Sequence, residues 1–545
     1  MKYWFKNSII YSLNVDLFKD DDKDGRGDID GLKERLEYVS GMGFNTIWLL
    51  PVFSTPGKDN GYDVSDYYNI DARKGNMGTF VEFMDLAEDF NLKVLIDLPL
   101  NHTSSEHPWF QEACNNPSSK YRDYYIWSDE KPQDADKKLM FEGQQESNWK
   151  FDEKSNAYYY HTFYDFQPDL NYANPEVKRE IRKIIHFWLR LGVSGFRVDA
   201  VPHVIRNKGH VKLEDPHSVL RGLRQFVEEI KSEAVLLGET DVNPEDYQQY
   251  FGNGNEFHML LNFYLTNYIF LSLARKDKRP IEYSLKQLPP TNLFEQYTNF
   301  LRNHDELDLE QLSEKEREEV FKEFAPEDDM RIFGRGIRRR LAPMLNDQQR
   351  SRLAYSILFS MPGTPVIRYG DELGMGDDLS LFGRKSVQTV MQWSAKKNAG
   401  FSDAEPDQLV RPAIDKGDFG YKHVNVADQQ RDPESFLNWM EKLIGTRTKC
   451  MEFGRGNFLF LDTGTNCIMC HASKLNKEIS VVFHNFSDQP KECAVSLEDH
   501  EISEFNEMFA DDKYQKLERH APVKLNPFGF RWFKGKLKEF YHPER

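Results

Sequence analysis

The sequence predicts an α/β protein: a TIM-type (β/α)8 barrel with an inserted subdomain after the third strand and a C-terminal antiparallel β-sandwich domain. Three observations predict it. Eight short apolar runs alternate with longer segments of helical period, the pattern of a parallel βα repeat. The stretch between the third and fourth runs is too long, and too rich in Tyr, Trp, Asp and Asn, for a plain loop. The tail then changes period and reads as short strands in NFLFLD, CIMCHA and EISVVFHNF.

The eight runs are IIYSLNVDL from Ile9, NTIWLLP from Asn45, LKVLIDL from Leu92, GFRVDA from Gly195, AVLLGE from Ala234, HMLLNF from His258, YTNFLRN from Tyr297 and TPVIRYG from Thr364. The clearest helix between them has Asn174 as N-cap and Pro175 at its first position. It repeats Val177, Ile181, Ile184, Ile185, Trp188 and Leu189 on one face and stops before Gly192. Residues 31–42 and 79–90 alternate apolar and charged faces in the same way. These signals assign residues 1–102 and 173–448 to the barrel, 103–172 to the insert and 449–545 to the C-terminal domain. A charge-rich excursion over 309–349, read as helical, interrupts the repeat after the seventh run.

Composition limits the partners. A formal net charge of −17 works against nucleic acid and anionic membranes, so a small neutral substrate fits better, with room left for a homo-oligomer. No apolar stretch approaches membrane-spanning length, and the first residues lack the charged and apolar regions of a leader. Five scattered cysteines suit a reducing cytoplasm. Cys467 and Cys470 form a CxxC, but with no second pair at metal spacing they are expected to be buried strand thiols.

Chemistry in such a barrel collects at the C-terminal ends of its strands. Strands four, five and seven end there on Asp199, Glu239 and Asp305, in the contexts GFRVDA, LLGET and RNHDE. A lone strand-end carboxylate is commonly a cap or an ion-pair partner, but three with Arg197 and His304 beside them are not explained that way. Retaining glycoside cleavage needs one carboxylate to attack and a second to protonate the leaving oxygen. Arg197, on the strand face of Asp199, is expected to keep that residue ionised, while crowding by like charge raises Glu239. Separately, Asp20, Asp22, Asp24 and Asp28, with Arg26 in the same loop DDDKDGRGD, offer oxygen ligands at alternating positions for a structural calcium ion.

GFRVDA, LGE, FLRNHDE and the LPLNH ending in His102 resemble the four short signature regions of the α-amylase superfamily, glycoside hydrolase family 13. The resemblance runs essentially end to end. It implies Asp199 as nucleophile, Glu239 as acid/base and Asp305 as transition-state stabiliser, with Asp63, His102, Arg197 and His304 gripping the transferred glucosyl unit. The segment QPDLN, starting at Gln167, is similar to the oligo-1,6-glucosidase branch. A narrower likeness, carried by WLLPVFSTPGKDNGYDVSDY, HTSSEHPWF, YYIWSD, RNHDELDLE, GIRRRLAPML and YGDELGMGD, is to the trehalose synthases. That likeness implies isomerisation between maltose and trehalose through a covalent glucosyl-enzyme intermediate. A hydrolytic α-glucosidase is the alternative; a non-catalytic sugar-binding relative is argued against by the intact carboxylate trio.

The chain also departs from the family pattern. Where relatives carry a segment resembling RxGVRTPMQW, it reads GRKSVQTVMQW, with Gln388 in place of an arginine expected to pair with Asp63, and Val390. Arg368 stands beside Tyr369 where a tyrosine pair is usual, and Phe166 precedes QPDLN. Arg368 is therefore expected to replace that arginine in part, holding Asp63 and the sugar hydroxyls. A second calcium, held in relatives by the equivalents of Asn101 and Asp169 and a carboxylate, is not expected, because Arg206 stands at the third position.

Overall fold

The structure is a computed structural model that describes residues 3–133, 139–141, 145–495, 502–517 and 521–537. All eight apolar runs become barrel strands: β1 (Ile10–Leu13), β2 (Thr46–Leu49), β3 (Lys93–Leu98), β4 (Gly195–Val198), β5 (Val235–Gly238), β6 (Met259–Leu261), β7 (Gln296–Phe300) and β8 (Thr364–Arg368). Each lies parallel to its sequence neighbour, and β8 closes on β1 through the register Ile10 to Val366. The period of two sorts each strand into an inner and an outer set. Ile10, Trp48, Leu95, Val235, Leu237, Met259, Phe300 and Val366 fill the barrel, joined by Phe5. The alternate residues Tyr11, Ile47, Val94, Phe196, Leu236, Leu260 and Ile367 join the larger core that includes the helices.

Two residues flanked by outer-core neighbours are charged. Asp97 and Arg197 lie on neighbouring strands and meet at 2.8 Å with 1% exposure or less. A single buried charge here would be very costly, so neither residue is replaceable alone without harm.

The helix anticipated after Asn174 spans Pro175–Arg190; Asn174 accepts from the Glu176 amide, and the six predicted apolar residues are its buried face. Residues 31–42 instead form two short helices, Ile29–Glu34 and Leu36–Gly41, broken at Arg35. Within the insert, helix Pro108–Asn115 accompanies a three-stranded antiparallel sheet of Trp127–Ser128, Ala157–Tyr160 and Trp149–Asp152.

The excursion is less helical than its composition suggested. Glu314–Phe324 is a helix, but Gly336–Ile337 is a strand between Leu307–Asp308 and Arg331–Ile332. Residues 335–340, within the stretch read as helical, form a turn, a short strand and an extended segment instead. Arg340 is fully buried against the carbonyls of Tyr369 and Val387 and the carboxylate of Asp371, and Arg339 pairs with Asp377. Specific acceptors, rather than solvent, take these charges.

The tail folds as a five-stranded antiparallel sheet (Asn457–Leu461, Ile468–Leu475, Glu478–Asn485, Phe530–Leu537 and Ile502–Ala510, in spatial order) with a two-stranded ribbon, Lys491–Cys493 and Val523–Leu525. Ile479, Val481, Phe483 and Phe533 of the sheet share one core with Cys493, Val523 and Leu525 of the ribbon, as in a sandwich. All five cysteines are unpaired; Cys470 is buried in its strand and Cys467 is half-buried. Among the described residues no helix is long and apolar enough to cross a membrane.

Candidate active site

At the C-terminal mouth of the barrel lies a pocket of about 390 Å³. Asp199 follows β4, Glu239 follows β5, and Asp305 sits in the turn after β7; all three line it, with His102 and His304. β4 ends in a sharp turn at Ala200, whose φ of 45° and ψ of 46° are left-handed for a residue with a Cβ. That conformation costs about 1–2 kcal/mol. It aims the Ala200 amide at Glu239 Oε2, 2.8 Å away, and the Val201 amide reaches the Glu239 carbonyl at 3.0 Å.

One guanidinium joins the first two carboxylates. Arg197 Nη1 lies 2.6 Å from Asp199 and Nη2 lies 2.5 Å from Glu239, while Asp97 holds the same arginine from inside the barrel. Burial raises the Asp199 carboxyl, with Arg197 opposing. Burial, aided by the charges of Asp199 and Asp305 and opposed by Arg197, pushes Glu239 up to about 7. Both carboxyls are thus raised: at Asp199, expected to be held ionised by Arg197, desolvation outweighs that charge, and at Glu239 it contributes more than like-charge crowding does.

Asp305 behaves in the opposite way. Burial alone would raise it, but Arg384, His304 and Arg197 outweigh that and hold it below the usual carboxylate range. Arg384 Nη1 is 2.6 Å from Asp305, its Nη2 3.7 Å from Asp59, and its Nε 4.0 Å from Glu306. His304 Nε2 lies 3.1 Å from Asp305 and 2.9 Å from the Tyr62 hydroxyl, which donates to Asp97 at 2.7 Å. Tyr62 and His304 stack at 5.7 Å. Asp59, Tyr62 and Arg384 all line the pocket, and sequence reasoning missed all three. The signals were available: Asp59 and Tyr62 bracket the Asn60–Gly61 turn of KDNGYD, and Arg384 is the arginine retained in GRKSVQTVMQW.

Several expected contacts are relocated. Asp63 is fully buried beneath the pocket, where it accepts from Thr55 Oγ1 and the amides of Lys58 and Asp59 and so shapes the loop that presents Asp59. Gln167 acts through the same loop, donating to Asp59 at 2.9 Å. Arg368 does not reach Asp63; it is buried behind His304 and donates to the Asn303 carbonyl at 3.1 Å. Gln388 donates to the His304 carbonyl at 2.9 Å and does not line the pocket, so its amide has not replaced a charged clamp there. Arg384 is that clamp. Phe166 stacks on Tyr164 and lies outside the lining.

The pocket is also lined by Phe263, Asp241, Glu306, Asp308, Glu310 and Arg335. Arg335 pairs with Asp308 at 2.8 Å, and burial, aided by Asp308, raises Asp241 well above its ordinary value. Phe141 of the insert, which lines the pocket, meets Phe333 of the excursion at 5.5 Å and Arg384 at 5.8 Å, so an aromatic contact joins the two segments beside the site.

Of the acidic loop, Asp20, Asp22 and Asp28 converge, with ligand atoms within 4.8 Å of one another. Burial followed by mutual repulsion raises Asp22, as expected of an oxygen cluster suited to a hard cation. Asp24 turns away and caps the Arg26 amide at 2.7 Å, and the Arg26 side chain pairs with Asp16. At the second position known from relatives, the Lys208 ammonium lies 2.7 Å from Asn101 Oδ1, 2.9 Å from Asp169 and 3.5 Å from the Leu170 carbonyl. A lysine occupies the oxygen cage there, while Arg206 turns to the hydroxyls of Tyr160 and Thr162.

Comparison with known proteins places these features. The family described as the alpha amylase catalytic domain matches residues 12–456. A trehalose synthase of Thermus thermophilus is 39% identical over 97% of this chain, which spans 55% of that protein's length. A trehalose synthase of Pimelobacter sp. (strain R48) is 36% identical, covering 97% of this chain and 96% of the relative. Among solved structures, a point mutant of the trehalulose synthase MutB superposes with a TM-score of 0.79 at 24% identity, over 98% of this chain and all of that one, a likeness of fold.

Proposed function

The chain belongs to the α-amylase family, and on that premise we propose that it is a retaining α-glucosyltransferase interconverting maltose and trehalose. The observation that carries this reading is the pair Asp199 and Glu239, held by adjacent nitrogens of one guanidinium inside a pocket the size of a disaccharide. Retaining enzymes need their two carboxyls about 5 Å apart, close enough for direct attack by one of them. The name carried by the relatives that match along the chain's length, trehalose synthase, supports the choice of substrate.

In this mechanism Asp199 attacks the anomeric carbon of maltose while Glu239, pushed up to about 7 and so carrying a proton in much of the enzyme near neutrality, gives that proton to the departing glucose oxygen. A β-glucosyl ester on Asp199 results. Asp59, Tyr62, His102, His304, Asp305 and Arg384 hold the transferred sugar. The freed glucose stays in the part lined by Asp241, Glu306, Asp308, Glu310 and Arg335 and turns until its anomeric hydroxyl faces the ester. Glu239 then removes that proton, and a second inversion forms the α,α-1,1 linkage with retention overall. The contact of Phe141 with Phe333 beside the site keeps the acceptor near, giving it an effective concentration that water entering by chance does not match. Early trehalose should dominate glucose when maltose is supplied, with little incorporation of labelled free glucose. Glucose as the main product without trehalose would assign the chain to hydrolysis.

Calcium at Asp20, Asp22 and Asp28, with a structural role, belongs to the same reading. An ion bound only to the folded state stabilises it by mass action. Adding calcium to metal-stripped protein should raise the melting temperature by a few degrees, and Asp22→Asn should blunt the shift. Identical melting with and without calcium would count against the site. The unpaired thiols fit a reducing cytoplasm.

A further inference from the structure

Three side chains that touch no part of the pocket hold three consecutive carbonyls of the turn bearing His304 and Asp305. Arg368 Nη1 donates to Asn303 at 3.1 Å, Gln388 Nε2 to His304 at 2.9 Å, and Arg302 Nη2 to Asp305 at 2.8 Å. All three are at most 2% exposed. The turn lies beyond β7, where no strand ladder orders these carbonyls; its one local brace is the Asp305 amide donating to Asn303 Oδ1 at 3.0 Å. Burial excludes bulk water as a substitute donor, and the two bonds from guanidinium groups are of the stronger, charge-assisted kind. Arg302 also donates to the Arg339 carbonyl at 2.8 Å, which ties the turn to the excursion. The two departures from the family pattern, an amide at 388 and an arginine at 368, thus act on neighbouring peptides of one turn.

We propose that Arg302, Gln388 and Arg368 are positioning residues for the reaction: a three-point clamp on the turn that sets where Asp305 stands against the transferred sugar. They touch no reacting atom. Their effect passes through the backbone to Asp305, whose carboxylate must meet Arg384 and His304 at the distances given above. The inference rests on the reading of Asp305 as a group that holds the transferred glucosyl unit. A displacement of about 1 Å at such a group costs on the order of 100-fold in rate.

The test uses the full chain and an aryl α-glucoside, which gives measurable rates in weak variants. Gln388→Met and Arg368→Lys, both checked for unchanged melting, should each lower kcat about tenfold or more, with KM moving less than about threefold. In an Asp305→Asn background the same substitutions should lower the remaining rate by less than about twofold, because the position they maintain no longer matters. A general softening of the fold would instead give the same loss in both backgrounds. That result, or wild-type kcat in both single variants, overturns the clamp. Near-wild-type activity of Asp305→Asn alone would overturn the reading of Asp305 on which the clamp rests.

Discussion

Asp199→Asn should reduce turnover on maltose by about four orders of magnitude or more, since it replaces the anionic carboxylate that forms the covalent intermediate with a neutral, poorly nucleophilic amide. The fold should survive, because the amide keeps the shape and Arg197 retains Asp97 and Glu239 as partners. Glu239→Gln should behave differently. It should slow maltose severely, yet spare the first step with an aryl glucoside whose leaving group needs no proton. The pH dependence follows from the same geometry. Glu239, pushed up to about 7, must be protonated in the free enzyme to act as acid. kcat/KM for maltose should therefore be full below that value and fall as pH rises through it, and Glu239→Gln should lose this limb. A purified Asp199→Asn protein turning over at near-normal rate, or a Glu239→Gln protein that keeps the alkaline limb, would remove the assignment.

Arg384→Met should cost about 100- to 1,000-fold in kcat, the range seen when one electrostatic donor leaves a desolvated site. Arg384 faces Asp305, Asp59 and Glu306 together. Burial alone would lower its own pKa, yet the three acids hold it well above the ordinary value. Without it these acids lose the charge that opposes their burial and mutual repulsion, so the Asp305 carboxyl should rise out of its depressed range. The sign of the pH effect is then fixed: the variant should gain an acid limb, with activity lost as pH falls through the new Asp305 value, whereas the wild type keeps Asp305 ionised well below neutrality. Arg384→Lys should recover part of the rate, because it keeps the charge but cannot present two nitrogens to two acids. A wild-type kcat and an unshifted acid limb in Arg384→Met would show that the clamp lies elsewhere.

What was legible in the sequence was whatever depends on neighbours along the chain. The eight strands could be read because burial on both faces makes each an apolar run bounded by turns, and Asp199 and Glu239 because strand ends in a barrel share one mouth. The six-residue face of the helix after Asn174 was legible for the same reason: its spacing is the helix's own period. The mistaken partners lay where the chain is irregular. Asp63 and Asp59 are four residues apart on one loop, and only the turn at Asn60 and Gly61 decides that Asp59 faces the pocket while Asp63 braces the loop from beneath. Arg384 meets Asp305 across 79 residues of sequence, and Lys208 reaches Asn101 across 107. No periodicity carries such pairings, because a long flexible side chain has no direction until the surrounding segments have packed. Composition and period therefore determined the barrel and the carboxylates at its mouth. Tertiary packing alone decided which cation serves which acid, because a buried charge is tolerated only where folding brings its partner within reach.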